Sequence, residues 1–266
     1  PTLSHSTRSG FSLDLSYPAA AALLIGVGLI AGTLNVLAGG GSLLSLPVLI
    51  FLGLPPGVAN GTNRVAILIQ TAGASWGFRR RGYLDGAWVR LAAPTALLGA
   101  GFGIWTAIQV DDGVFQRVLA FIMVAVALWT LWSPLKPSTE LGAEPPTDRL
   151  HRTLLMVGFF GVGFYGGFIQ AGVGFVILAL VTHAGLDLVR GNAMKVTLIM
   201  LFTPLALAGF AWNGMVEWGL GFALAIGGFL GGQMGVRLNI SKGQEWVRRV
   251  VTVTVIVFAI RLWFSA

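Results

Sequence analysis

The residues with the most distinctive chemistry are two cations inside apolar segments. Arg64 closes the run VANGTNR, and Lys195 lies in the run NAMKV. A Lys or Arg at depth in a bilayer costs at least about 2.5–3.5 kcal/mol, and such residues usually serve a function. All ten Asp and Glu residues fall in loops or at the edges of the apolar segments. The two cations therefore predict a site for a small anion; snorkelling to the surface, or pairing with a carboxylate, is the structural alternative.

Glycines interrupt the apolar sequence at two places. Gly39–Gly41 form a triplet, and Gly172 and Gly174 form a looser second break. Each break precedes a short apolar segment, at 42–52 and 175–184, about half the length of a membrane span. Unwound backbone at membrane depth must be buried in protein or line a cavity, and amides at the start of a helix attract anions. A glycine-rich helix-packing surface is the alternative interpretation.

The predicted solute site combines these glycines with the two cations and the nearest hydroxyl and amide side chains. Its residues are Gly39, Gly40, Gly41, Ser42, Asn63, Arg64, Gln170, Gly172, Gly174, Asn192 and Lys195. The sequence has no Cys, no Walker-type phosphate loop and no pattern of paired carboxylates or His ligands. We therefore expect no catalytic residues, no metal site and no cofactor, and we do not expect an enzyme.

The elements that must position these residues are membrane helices. The chain is 55% hydrophobic and only 10% charged, whereas soluble domains are about 25% charged. The net charge of +7 then reflects cytoplasmic loops rather than a nucleic-acid partner. The predicted segments are 17–38, 42–52, 58–78, 86–108, 115–132, 153–169, 175–184, 189–212, 218–236 and 246–264. Eight tryptophans near segment ends predict an aromatic belt: Trp76, Trp88, Trp105, Trp132, Trp212, Trp218, Trp246 and Trp263.

The two halves of the sequence align with an offset that drifts between about 130 and 133 residues and places Gly39 on Gly172 and Arg64 on Lys195. Lys and Arg favour cytoplasmic loops, and Arg79–Arg81 have no cationic counterpart in Asn213–Glu217. This asymmetry predicts an all-α membrane protein of ten segments in two inverted five-segment repeats, with both termini outside. The predicted parts are an N-terminal tail (1–16), a first repeat (17–132), a cytoplasmic linker (133–152) and a second repeat (153–266).

The first-half motif resembles the TauE/SafE family of sulfite and organosulfonate exporters. The resemblance is carried by Gly32–Leu49 (GTLNVLAGGGSLLSLPVL) and by Val58–Arg64 (VANGTNR). It implies a bacterial-type inner-membrane permease for sulfur-containing anions, with the family's glycine break and Asn-Arg stretch at Gly39–Ser42 and Asn63–Arg64. The second half departs from the motif, because its break lacks a full glycine triplet and its short segment lacks a proline.

These observations together predict a transporter for a small oxyanion such as sulfite or an organosulfonate, working by alternating access at the glycine breaks. An anion channel through the same pore is one alternative, and a membrane partner of sulfur-metabolism enzymes is another. The expected partners are the anionic solute and the lipid bilayer, and a homodimer is compatible with the sequence. The direction of transport and its energy source leave no mark on the sequence.

Overall fold

The structure is a computed structural model that describes residues 15–132 and 145–241, all of whose regular elements are α-helices. Most of the predicted tail, most of the predicted linker and the whole predicted segment 246–264 lie outside the described residues. The helices are α1 (Tyr17–Leu37), α2 (Ser42–Phe51), α3 (Pro56–Arg80), α4 (Gly86–Gln109), α5 (Asp112–Trp132), α6 (Arg149–Phe168), α7 (Val173–His183), α8 (Leu188–Trp212) and α9 (Trp218–Ser241).

Nine of the ten predicted segments correspond to these helices, with ends that differ by up to five residues. The largest difference at a helix start is in α6, which begins at Arg149 rather than at Thr153 because the Asp148 carboxylate accepts a hydrogen bond from the His151 amide. Asp85 and Asp187 cap the starts of α4 and α8 in the same way. A short polar side chain before a helix satisfies amides that have no partner within the helix. Aspartates therefore set these boundaries.

Four of the described helices, α1, α4, α8 and α9, are long and apolar enough to cross a membrane. The helix α3 is 25 residues long, but the polar run from Asn60 to Arg64 lowers its hydropathy. This run is buried, since the side chains of Asn60 and Arg64 at its two ends have no exposed surface. The polar stretch of α3 therefore faces protein rather than lipid.

Two helix pairs, each joining the two halves of the chain, pack backbone to backbone. The helix α1 lies against α9, and a Cβ on Gly32 would come within 2.5 Å of the Gly228 carbonyl oxygen. The helix α4 lies against α6, and a Cβ on Gly103 would come within 2.0 Å of the Phe164 oxygen. Small residues permit this close approach where lipid gives helices no hydrophobic reason to associate. Many of the glycines therefore lie where two helices pack closely against each other.

The contacts also fix the relative directions of the helices. Along α9, Gly221 faces Val65, and Gly232 faces Gln70, so α3 and α9 run in the same direction. The pairs Gly28–Leu224 and Gly235–Val36 likewise make α1 parallel to α9.

The helices α3 and α8 run in opposite directions. Arg64 lies beside Phe210 near the end of α8, and Ser75 contacts Thr197 near its start. The helix α3 therefore has the direction of α1, with the short helix α2 between them, and α8 has the opposite direction.

The predicted aromatic belt needs one correction. Trp76, Trp105 and Trp212 are exposed by 57%, 61% and 88%, as residues at a membrane interface would be. Trp88 is completely buried and belongs to the hydrophobic cluster that includes Leu91 and Phe159. The position of Trp88 near a segment end was misleading, because α6 packs along α4. The side chains of Trp132, Trp246 and Trp263 lie outside the described part.

Candidate functional site

The two glycine breaks meet in the interior. Gly39 has a φ of +88° and Gly172 a φ of +75°, a region that side chains other than glycine rarely adopt. A Cβ on Gly39 would lie 2.4 Å from the Gly174 Cα, and a Cβ on Gly174 would lie 2.3 Å from the Gly39 Cα. The sequence analysis assigned Gly174 to the break, but α7 begins at Val173, so Gly174 belongs to the first turn of that helix.

Arg64 is buried at the end of α6, a helix from the other half of the chain. Its Nη1 donates to the Gly166 oxygen at 2.6 Å and also to the Gln170 side chain, while Nη2 donates to the Gly167 oxygen at 3.0 Å. The last carbonyls of a helix have no partner within the helix, and in an apolar interior they need one. The guanidinium therefore caps α6, and its Nε is buried with no partner among the described residues.

Lys195 makes the equivalent contact from the second half of the chain to a helix of the first half. Its Nζ donates to the Val36 oxygen at 2.9 Å and to the Asn192 side chain. Asn192 in turn donates to the Leu37 oxygen at 3.3 Å, so both residues of α8 cap the end of α1. Arg64 of the first half thus caps a helix of the second half, and Lys195 of the second half caps a helix of the first half.

Asn60 completes the first cap, and the sequence analysis did not include it in the site. Its Nδ2 donates to the Phe168 oxygen at 2.9 Å, and its Oδ1 lies 3.5 Å from the Arg64 Nη2. Residues four apart share one face of a helix, so the spacing of Asn60 and Arg64 was a usable signal. Below, the Asn60–Arg64 pair is called the first cap and the Asn192–Lys195 pair the second cap.

These contacts change the interpretation of the buried cations. Snorkelling is excluded because both side chains have no exposed surface. Carboxylates do not pair with the two cations, because the described Asp and Glu residues lie at helix ends, where Asp85, Asp148 and Asp187 serve as caps. Backbone carbonyl oxygens accept the hydrogen bonds of both cations in place of carboxylates.

A second polar cluster lies beside the first break. Asn63 Nδ2 donates to the Ser42 Oγ at 3.0 Å, and the Ser45 hydroxyl donates to Asn63 Oδ1 at 2.7 Å. Nearby, Gln70 donates to the Gly32 oxygen at 3.2 Å. Ser45 and Gln70 were not predicted as site residues.

These residues border a cavity that has room for about one water molecule. At the glycine breaks the offset is 133 residues, so Ser45 corresponds to the apolar Leu178, and at the 131-residue offset of Arg64 and Lys195 Gln70 corresponds to Leu201. These two polar positions of the first half therefore have apolar equivalents in the second half.

The predicted site residues form four groups rather than one. Gly39 lies against Gly174, Ser42 against Asn63, Arg64 against Gln170 and Lys195 against Asn192. Gly41 packs on α1, where its Cβ would come within 2.2 Å of the Ala31 oxygen. Gly40 is buried beside it, and Gly172 gives the second break its left-handed turn. The groups surround the ends of α1 and α6 and the starts of α2 and α7.

Apolar helices long enough to cross a membrane, interrupted by paired glycine breaks with buried cations, define a multi-pass membrane transporter. A model of the family described as "Sulfite exporter TauE/SafE" matches residues 24–262, and the chain belongs to this family.

Its relatives include a "Probable membrane transporter protein" of Haemophilus influenzae, 30% identical over 87% of this chain and 90% of the relative. "Probable membrane transporter protein YfcA" of Escherichia coli K12 is 29% identical over 96% of this chain and 94% of the relative. No solved structure matches the chain.

Proposed function

We propose that this transporter carries a small sulfur-containing oxyanion, such as sulfite or an organosulfonate, by alternating access at the paired glycine breaks. The observation that carries the proposal is the meeting of Gly39 and Gly174 between helix ends capped by Arg64 and Lys195. Two buried cations that lack a carboxylate partner among the described residues support an anionic solute. The name of the family points to sulfite.

The donors around the breaks suit an oxyanion with several oxygen atoms. The first hydrogen bond of α2 is donated by Leu43 to the Gly40 oxygen, so the amides of Gly41 and Ser42 precede the helix ladder and remain available to a ligand. The start of α7 differs, because the Val173 amide already donates to the Gln170 oxygen at 3.4 Å. Ser42 and Asn63 supply side-chain donors at the first break. We infer that the solute lies at this first break, where the polar cluster is found.

Helix directions support an architecture of two inverted repeats, each containing five segments. In this proposed architecture the short helix α2 counts as a crossing, which fits the parallel arrangement of α1 and α3, and the halves have opposite orientations, which fits the antiparallel arrangement of α3 and α8. In two such repeats α1 is equivalent to α6, and α4 is equivalent to α9. The contact between α1 and α9 is therefore equivalent to the contact between α6 and α4, and the structure contains both contacts. The tenth segment would be the apolar stretch 246–264.

This architecture and the positive-inside rule lead to a topology. We propose that the protein lies in a bacterial-type inner membrane, with Arg79–Arg81 and the 133–152 linker in the cytoplasm and both termini outside. Its partners are then the anion and the lipid bilayer, and a homodimer remains compatible with this arrangement. No nucleic acid is expected.

Alternating access is proposed over an open pore because the cavity beside Ser45 and Asn63 has room for about one water molecule. A sulfite or sulfonate group is larger than water and needs the helices to separate. The described conformation therefore corresponds to an occluded state of the proposed cycle. Such a cycle releases solute on one side only after closing the other side.

The test is transport by the purified protein in liposomes. Uptake of radiolabelled sulfite should saturate, and unlabelled sulfite inside the vesicles should accelerate it. Competition by unlabelled taurine or sulfoacetate would identify organosulfonates as further solutes. Chloride serves as the control anion, and protein-free liposomes serve as the blank. Single-channel currents without saturation would establish a channel instead. Absence of uptake for every sulfur oxyanion would refute the proposed solute class.

A further inference from the structure

Six of the seven described long helices can be divided into two bundles, and each bundle takes helices from both halves of the chain. We assign α1, α3 and α9 to the first bundle and α4, α6 and α8 to the second, with α8 also packed extensively against α3. Within each bundle the closest helix pair meets through glycine backbone, as at Gly32–Gly228 and Gly103–Phe164. Backbone contacts of this kind leave little freedom to slide, because interiors are close-packed.

The interface between the bundles has a different character. Where α3 meets α8, each of these contacts involves a side chain: Ser75 Oγ lies 2.7 Å from Thr197 Oγ1, the Arg64 guanidinium lies 5.6 Å from the centre of the Phe210 ring, and a Cβ on Gly61 would lie 3.0 Å from the Phe210 Cβ. Side chains can change rotamer and exchange partners more easily than packed backbone can separate. Relative motion is therefore expected between the bundles rather than inside them.

Both caps cross this interface. The first cap reaches from α3 of the first bundle to the α6 carbonyls of the second bundle, and the second cap reaches from α8 of the second bundle to the α1 carbonyls of the first. Because α3 and α8 are antiparallel, the caps lie at opposite ends of the interface. Eleven residues separate Arg64 from Ser75, which contacts α8 near Lys195, so the caps are roughly 16 Å apart along the helix.

We propose that the two caps are the two gates of the transport cycle, an inference that rests on the proposed function. Release of the first cap separates the bundles at the Arg64 end, and release of the second cap separates them at the Lys195 end. A released cation loses its carbonyl acceptors in an apolar interior, which is costly. An arriving oxyanion supplies a replacement acceptor, so solute binding favours opening of one gate at a time. Asn60 and Asn192 act as positioning residues for these gates.

A disulfide tests whether the bundles move. The chain contains no Cys, so introduced thiols have no competitors. Ser75→Cys with Thr197→Cys would link the bundles at side chains that already touch. The controls are the single variants Ser75→Cys and Thr197→Cys, which receive the same oxidant but cannot form the link between the bundles.

Oxidation of the Ser75/Thr197 pair should abolish trans-stimulated sulfite uptake, and a reductant should restore it. Oxidation of either single variant should leave uptake close to that of its reduced form. Full transport by the oxidised Ser75/Thr197 pair would overturn the proposal.

Thiol labelling from either side of the membrane tests the gates themselves and needs no transported solute. A Ser42→Cys reporter at the first break is combined with Arg64→Gln or with Lys195→Gln, and a membrane-impermeant thiol reagent is applied to right-side-out and to inverted vesicles. Loss of one charged cap should increase the labelling rate roughly tenfold or more from one face. Arg64→Gln should act on the periplasmic face and Lys195→Gln on the cytoplasmic face.

Increased labelling from the same face in both variants would overturn the gate assignment, as would unchanged labelling in both. This measurement also separates the two proposals. Opposite-face labelling together with no transport of any sulfur oxyanion would retain the gates and reject the solute class.

Discussion

The contact between the glycine breaks can be tested with single methyl groups. In Gly174→Ala the new Cβ would lie 2.3 Å from the Gly39 Cα, so the breaks must separate by about 1 Å or more to reach an ordinary carbon–carbon distance of about 3.5–4.0 Å. Overpacking of this kind costs about 1–3 kcal/mol. If the cost falls on the occluded state alone, its population relative to open states decreases roughly 5- to 150-fold.

The matched control is Gly26→Ala in α1, where a Cβ would meet nothing within 4 Å. Thermal unfolding of each purified variant, followed by tryptophan fluorescence without solute, should show Gly174→Ala melting roughly 2–10 °C lower than Gly26→Ala. Sulfite uptake in liposomes should be slowed in Gly174→Ala and nearly normal in the control. If the two variants agree in both melting and uptake, the breaks do not touch, and the central observation behind the proposed function fails.

Gly39→Ala combines this overlap with a second effect, because Gly39 has a φ of +88°. An alanine in the left-handed region costs about 1–2 kcal/mol. Gly53→Ala measures this strain alone, since Gly53 has a φ of +91° and a Cβ there would meet nothing within 4 Å. Gly39→Ala should therefore be destabilised by more than Gly53→Ala, and the excess should resemble the loss in Gly174→Ala. Equal destabilisation of Gly39→Ala and Gly53→Ala would attribute the effect to backbone strain and contradict the contact.

The other predictions concern topology, the first break and the buried charge. Cysteines at Asp112 and Asn213 should be labelled from the periplasm of intact cells and a cysteine at Gly82 should be protected; labelling of Gly82 and Asn213 from one side would contradict the inverted arrangement. Gly40→Leu should insert into the membrane but lose sulfite uptake, because its side chain fills the buried break; wild-type uptake would make the break a packing device. Arg64→Gln should weaken anion binding roughly 10- to 150-fold in titrations and also lower the melting temperature, because it leaves α6 carbonyls unpaired. Unchanged affinity would place the anion elsewhere.

Exposed cations provide a control for the Arg64 measurement. Arg90 lies on the exposed surface of α4, and Arg90→Gln removes the same charge without opening a buried site. Its effect on anion affinity should be small, since solvent and salt screen an exposed charge. An equal loss in Arg90→Gln and Arg64→Gln would mean that net charge, rather than the buried position, governs binding.

The sequence predicted the helices well because their limits depend on local chemistry. The short helix α2 was expected at 42–52 and is found at Ser42–Phe51, because the glycine triplet before it and the Gly53-Leu54-Pro55 turn after it disfavour helix. The burial of Arg64 and Lys195 was also predicted, since each lies inside an apolar segment. Trp88 shows the limit of such reasoning, because distance from a segment end says nothing about a neighbouring helix.

The partners of the site residues were beyond the reach of the sequence. Arg64 contacts Gly166 and Gln170 across 102 and 106 residues, and Lys195 contacts Val36 across 159 residues. A search for carboxylates can be made by residue type, whereas every residue carries a carbonyl. Which carbonyls are unpaired depends on where two helices end and on which helix lies beside those ends. That information exists only after packing.

The sequence by itself thus determined a multi-pass helical membrane protein, two glycine breaks and two cations at depth, because hydropathy, glycine and charge act on the nearest few residues. Only the tertiary structure decided that Gly39 lies against Gly174 and that each cation caps a helix of the other half. These contacts arise from packing α3 against α8, α1 against α9 and α4 against α6. Such packing depends on shape and on unpaired backbone groups over the whole chain, and neither is encoded in any single stretch of residues.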